Sequence, residues 1–227
     1  MWLDSLQTVW PATLAVAIYL GVIVITAEAL RRLYQVDGEL TRKVVHIGTG
    51  NVILFAWWGQ IPAWVGITCS ITASVITLVS YRYPILPGVN SVGRKSLGTF
   101  FYAVSIGLLV GYFWPLGQPE YAAIGILTMS YGDGLAALIG QRWGKHRYQS
   151  WGSSKSWEGS LTMLVISGSV SVGILGLGLG LSWLVGAIAL ATALVATALE
   201  TWSWLGIDNL TVPLGAAFIA YWLSSWL

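Results

Sequence analysis

Charge is what this sequence has least of. Only 9% of its 227 residues are Asp, Glu, Lys or Arg, against 56% hydrophobic, and the mean hydropathy is +0.73. A water-soluble domain is nearer a quarter charged, so that class is excluded and an integral membrane protein is expected. Cysteine is nearly absent too. The one thiol, Cys69, lies in an apolar stretch, which rules out a disulfide framework or a cysteine metal site within one chain. No low-complexity tract, interdomain linker or convincing internal repeat breaks the sequence, and residues 1–227 are expected to form a single domain. No Lys or Arg precedes the first apolar run, which therefore reads as a retained span rather than a secretory signal.

What is present in quantity is apolar sequence and tryptophan. The 14 Trp suit side chains that settle at a membrane–water interface. A spanning helix needs about 20 mostly apolar residues. Candidate spans are Trp10–Leu30, Val44–Trp58, Pro62–Val79, Leu97–Trp114, Tyr121–Gly140, Leu161–Leu179, Ser182–Leu199 and Thr211–Leu227. The glycines near Leu177 leave the sixth and seventh open to fusion. The expected fold is an all-α polytopic bundle of seven or eight transmembrane helices.

All 11 basic residues fall in alternate connections: Arg31, Arg32, Arg42 and Lys43; then Arg82, Arg94 and Lys95; then Arg142, Lys145, Arg147 and Lys155. Such asymmetry places those loops in the cytoplasm. The carboxylates Glu28, Asp37, Glu39, Asp133, Glu158, Glu200 and Asp208 join them there, leaving only Asp4 and Glu120 opposite. A transporter would spread its charges through the bilayer depth; crowding on one face argues against it. Lysines and arginines with carboxylates suit a polyanion held through a divalent metal, because phosphate takes cations and N–H groups. Mg²⁺ takes one or two carboxylates plus phosphate oxygens and water.

Asp133 stands where hydrocarbon should be, and an ionisable residue inside a span is by default a functional-site hypothesis. The plainer alternative is a buried Asp satisfied by hydroxyls. Gly134, Ala136, Ala137 and Gly140 keep its helix slim, and Gly140 and Gly144 offer backbone that a phosphate can approach. In Ser153-Ser-Lys-Ser-Trp-Glu-Gly-Ser160, Ser153 and Ser154 are expected N-caps, and hydroxyls with free N–H groups there would cradle an anion. Lys155 supplies a point charge, and Glu158 joins a metal or orients Lys155; an interfacial Lys–Glu pair is the plainer reading. Arg42, Lys43 and His46 share a helix face. Snorkelling accounts for the two cations, and His46 is either a helix contact or a base or ligand. His146 is expected to be solvated, and Glu28 to pair with Arg31 or Arg32. The run Gly88-Val-Asn-Ser-Val-Gly93-Arg-Lys95-Ser96 nearly has P-loop spacing, but that loop needs a preceding strand. It is rejected as a P-loop, with Arg94, Lys95 and Ser96 kept as phosphate contacts.

Four pieces carry a family resemblance. Asp133-Gly-x-Ala-x-x-x-Gly140-x-x-x-Gly144 followed by Lys155-Ser-x-Glu158-Gly-Ser160 resembles the signature of CTP-dependent polyprenol kinases, a group that includes phytol, dolichol and CTP-dependent diacylglycerol kinases. Arg42-Lys-x-x-His46-x-x-x-Gly50 resembles the group's early segment. Glu200 with Asp208-Asn-Leu-Thr-Val-Pro213 resembles its late one. Ile207 departs from relatives with two adjacent acids there, so Glu200 would have to serve as the second. The compact chain is most similar to the phytol-kinase type, and CDP-diacylglycerol synthases are more distant.

The resemblance implies Mg-assisted transfer of the γ-phosphoryl of CTP to phytol or geranylgeraniol at the cytoplasmic interface. The implied partners are CTP, a membrane isoprenoid alcohol and the bilayer, with no nucleic acid. Asp133, Lys155, Glu158 and His46 are the implied catalytic groups. Arg42, Lys43, Arg94, Lys95, Gly140, Gly144, Ser154 and Ser156 would bind phosphate; Asp133, Glu200, Asp208 and Asn209 would hold Mg²⁺. The rival chemistry is a cytidylyltransferase that releases pyrophosphate.

Overall fold

A membrane leaves backbone N–H and C=O groups no water to bond, so apolar segments close their own hydrogen bonds as helices. The computed structural model describes residues 2–33, 35, 38–83, 97–151 and 153–227. Helix α1 (Trp2–Leu33) is followed by α2 (Gly38–Gly50), α3 (Val52–Trp58), α4 (Ala63–Arg82) and α5 (Gly98–Phe113). One rod then comprises α6 (Pro119–Leu127), a π-helical turn (Thr128–Asp133) and α7 (Gly134–Trp143). A hairpin of β1 (Arg147–Ser150) and β2 (Ser153–Ser156) leads into α8 (Trp157–Leu179), α9 (Trp183–Thr201) and α10 (Asp208–Ser224). Among the described residues, five helices are long and apolar enough to cross a membrane: α1, α4, the rod, α8 and α9. Helix α5 is apolar but shorter, at 16 residues.

The rod is the centre. Its most apolar window is 67% buried, whereas those of the other four lie between 11% and 33%. Helices α2, α3, α5, α8 and α10 all pack on it. Missing side chains allow that approach. A Cβ on Gly125 would collide with the backbone carbonyl of Pro213 on α10, and one on Gly134 would stand 2.5 Å from Ile47 Cγ1 on α2. Between helices in lipid, packing replaces the hydrophobic drive, so small residues at the seam count heavily. Gly125→Val is therefore expected to cost about 1–3 kcal/mol, read as a lowered unfolding midpoint in detergent. An unchanged midpoint would show that α6 and α10 do not meet there.

Two expectations need correction. The second span is not one helix. Asn51 breaks it into α2 and α3, where its N–H bonds the Gly48 carbonyl three residues back and its side chain faces inward instead of capping α3. In the connection before α8, Arg147–Ser150 pairs antiparallel with Ser153–Ser156. Trp151, at φ 43°, turns the hairpin. The cap of α8 is consequently Ser156, whose Oγ accepts from Gly159 N–H. Ser153 and Ser154 are strand residues. The sixth and seventh spans do separate: Gly180 takes φ 76°, and Ser182 caps α9 by accepting from Val185 N–H.

Candidate active site

The π-helical turn ends at Asp133, and this local widening of the helix re-aims the residues around it. Asp133 thereby meets α2. Its Oδ2 lies 2.5 Å from Lys43 Nζ and 3.8 Å from His46 Nε2. Lys43 is only 3% exposed, so it turns into the protein instead of snorkelling outward. In lipid or protein interior, a cation survives only when paired, and Asp133 is its partner. His46 stacks at a tilt on Tyr102, 4.5 Å between ring centres. The Tyr102 hydroxyl meets Ser130 Oγ at 2.5 Å, and Ser130 donates to the Ile126 carbonyl. No hydrogen-bond partner reaches the buried His46 Nε2. Among buried polar atoms that is uncommon, and this atom points toward the Asp133 carboxylate.

A second pair forms where the hairpin crosses the end of α9. Lys155 Nζ lies 2.6 Å from Glu200 Oε1 and also donates to the Glu200 carbonyl and, at 3.3 Å, to Ser203 Oγ. Ser203 donates to Asp208 Oδ2 at 3.0 Å. The other oxygen, Oδ1, accepts from the Asn209 N–H at 3.0 Å and from Asn209 Nδ2 at 2.9 Å. Pro213 cannot give the helical N–H that the Asn209 carbonyl would otherwise accept. Asp133 is close enough for its charge to repel both Glu200 and Asp208. Two lysine–carboxylate pairs and a third carboxylate thus share one end of the bundle.

Other expected residues lie elsewhere. Glu158 does not orient Lys155, because Lys155 sits on a strand and the helical i, i+3 spacing does not apply. Instead its carboxylate accepts from the N–H groups of Lys145 and His146 and pairs with His146 Nδ1 at 2.8 Å. His146 is exposed yet not simply solvated. Gly140 and Gly144 abut Ser156 Oγ, where added Cβ atoms would stand 2.8 and 2.6 Å away. The two glycines seat the start of α8 against α7. Ser154 is exposed on β2, and Arg42 is half-buried with its charge felt at Asp133 and His46. Glu28 pairs with both Arg31 and Arg32. Arg94 and Lys95, with the whole 88–96 run, lie outside the described residues.

Ser203 was not singled out from sequence. Its position between Glu200 and Asp208 was the available signal. Asn51 was also missed: Tyr131 donates to its Oδ1 at 2.7 Å, and its Nδ2 donates to Tyr19 at 2.9 Å. That relay ties α1 and the α2–α3 break to the π turn that carries Asp133.

Among the described residues, no three His, Cys, Asp or Glu side chains converge tightly enough to hold a metal by themselves. The donor chemistry nonetheless fits Mg²⁺, which uses one or two protein carboxylates and takes its remaining oxygens from phosphates and water. Asp208 suits this best: both of its oxygens accept from neutral groups, and its neighbours Asp133 and Glu200 are anionic.

The chain is 56% identical over 218 residues to a phytol kinase of Synechocystis sp., covering 96% of this chain and 93% of that protein. It is 28% identical over 240 residues to phytol kinase 1, chloroplastic, of Arabidopsis thaliana, covering 92% and 75%. Similarity to the farnesol kinase of the same plant, also chloroplastic, is 28% over 143 residues, covering 56% and 44%. No family model matches the chain, and no solved structure does.

Proposed function

The chain belongs to the phytol kinase group of the polyprenol kinase family, phosphotransferases with an alcohol acceptor, and from that premise we propose that it transfers the γ-phosphoryl group of CTP to phytol or a near isoprenoid alcohol. The alcohol oxygen bonds to the γ-phosphorus, the bond to the bridging oxygen breaks, and the products are the lipid phosphate and CDP. The observation that carries this reading is the pairing of buried Lys43 and half-buried Lys155 with carboxylates beside a third carboxylate, Asp208. Phosphoryl transfer asks a protein mainly for position and charge. Fixed cations in a low-dielectric site supply that without reorganising water.

In this reading Lys155 and Lys43 are the point charges that meet the polyphosphate, with Arg42, Arg94 and Lys95 as outer cations. Asp133, Glu200 and Asp208, with Asn209, would hold Mg²⁺, which would neutralise charge on the triphosphate. Asp133 and the Nε2 of His46 are the two acceptors at the buried end toward which the alcohol can release its proton. Ser156, Gly140 and Gly144 hold the Lys155 strand against α7. Glu158 braces the 145–146 loop over the site. By the placement of its 11 cations, this end of the bundle faces the cytoplasm, where a nucleotide is available.

The test is a product assay on purified protein, offering CTP or ATP with phytol, geranylgeraniol, dolichol or diacylglycerol. Phytyl phosphate and CDP in equal amounts are expected from CTP and phytol. Release of pyrophosphate would overturn the kinase reading in favour of cytidylyl transfer.

A further inference from the structure

Helices α8 and α9 leave an open apolar groove of about 610 Å³ on their exposed face, within the size range of small-molecule sites. Leu164, Val165 and Gly173 form part of one wall; Gly186, Leu190 and Ala193 form part of the other. The α9 face continues past the groove to the site, and the α8 face continues to the loop beside it. Along α9 the helical repeat carries Gly186, Leu190 and Ala193 on through Thr197 to Glu200, the carboxylate that holds Lys155. Along α8 it carries Gly173, Ser169 and Val165 on through Thr162 to Glu158. Polarity therefore changes once along this seam, from apolar in the groove to ionic about two turns beyond its last lining residues, where the hairpin crosses.

Resting on the kinase reading above, we propose that this groove binds the hydrocarbon tail of the isoprenoid alcohol and measures its length. From Glu200 back to Gly186 is about 21 Å of helix. A phytyl chain is roughly 20 Å long when extended at ordinary carbon–carbon geometry. With its hydroxyl near Lys155 and Glu200, such a chain reaches the far end of the groove. A second copy of the protein would have to lay in a helix about 10 Å wide and would leave the ionic end of the seam, beyond the groove, unmatched. An amphipathic chain matches both ends.

Gly173 and Gly186 make the test clean, because nothing lies within 4 Å of a Cβ built on either. Leucine there enters open space and favours the helix. Purified Gly173→Leu and Gly186→Leu proteins are compared with wild type on phytol and on farnesol, which is one isoprene unit shorter. KM for phytol is expected to rise about tenfold, in the range that misfit of a few carbons gives in an apolar site, with farnesol affected far less. KM for CTP should stay unchanged. Ile18→Leu on the exposed face of α1 serves as the control and should alter neither alcohol. Equal constants for wild type and both variants overturn the groove proposal while leaving the kinase reading intact. So does a change of oligomeric state in detergent without a change in alcohol preference, which assigns the groove to a second copy. Wild-type protein that phosphorylates neither alcohol would instead overturn the kinase reading on which this inference rests.

Discussion

An Asp133→Asn protein is expected to lose about three orders of magnitude in kcat for phytol phosphorylation, the scale on which a preorganised charge at a transition state acts. Asn keeps the size of the side chain and removes the charge that faces Lys43 and His46. It also strands Lys43, which is 3% exposed. Breaking a buried pair by removing one partner costs about 3–5 kcal/mol, so lost activity in this variant alone could reflect lost fold. The double variant Lys43→Met/Asp133→Asn separates the two effects. Replacing both charges by neutral groups of similar size relieves the stranded cation, so the unfolding midpoint should return toward wild type while turnover stays absent. Appreciable turnover in the folded double variant would remove Asp133 from the chemistry.

Lys155→Met should be nearly as severe, with kcat down about 10²–10³-fold and a higher KM for CTP. Lys155 holds the side chain and the carbonyl of Glu200 and reaches Ser203, so its ammonium is the cation that faces Glu200 among the described residues. Arginine should not rescue it: a planar fork cannot reproduce a compact ammonium that donates in three directions. Loss of Lys155 leaves Glu200 and Asp208 repelling each other and Asp133. Added Mg²⁺ should then raise the unfolding midpoint of Lys155→Met more than that of wild type, since a ligand that binds only the folded state stabilises it. Equal responses to Mg²⁺ would argue that these carboxylates do not share a cation.

The two variants probe different residues of one site, and how far each was readable beforehand differs. Asp133 announced itself as a carboxylate inside an apolar run. Lys155 was visible as a cation at a helix start, but its partner was misjudged. Helical spacing pointed to Glu158; the hairpin takes Lys155 off the helix and hands it to Glu200, 45 residues away. Lys43 read as a snorkelling interfacial residue, and only the docking of α2 on the rod turns it inward.

Sequence alone was enough for the membrane class and the approximate course of the long apolar helices, and it raised the expectation that cations and carboxylates gather at one end. These follow from hydrophobic length and charge asymmetry, which are local properties of the chain. It also carried the family resemblance, through Asp133, Lys155, Glu200 and Asp208. The tertiary structure decided the pairing of those charges, the break at Asn51, the cap at Ser156 and the groove between α8 and α9. Each depends on which helix faces which. That is set by close approaches such as Gly125 to Pro213 and Gly134 to Ile47, which unite residues far apart in the chain and leave no periodic mark along it.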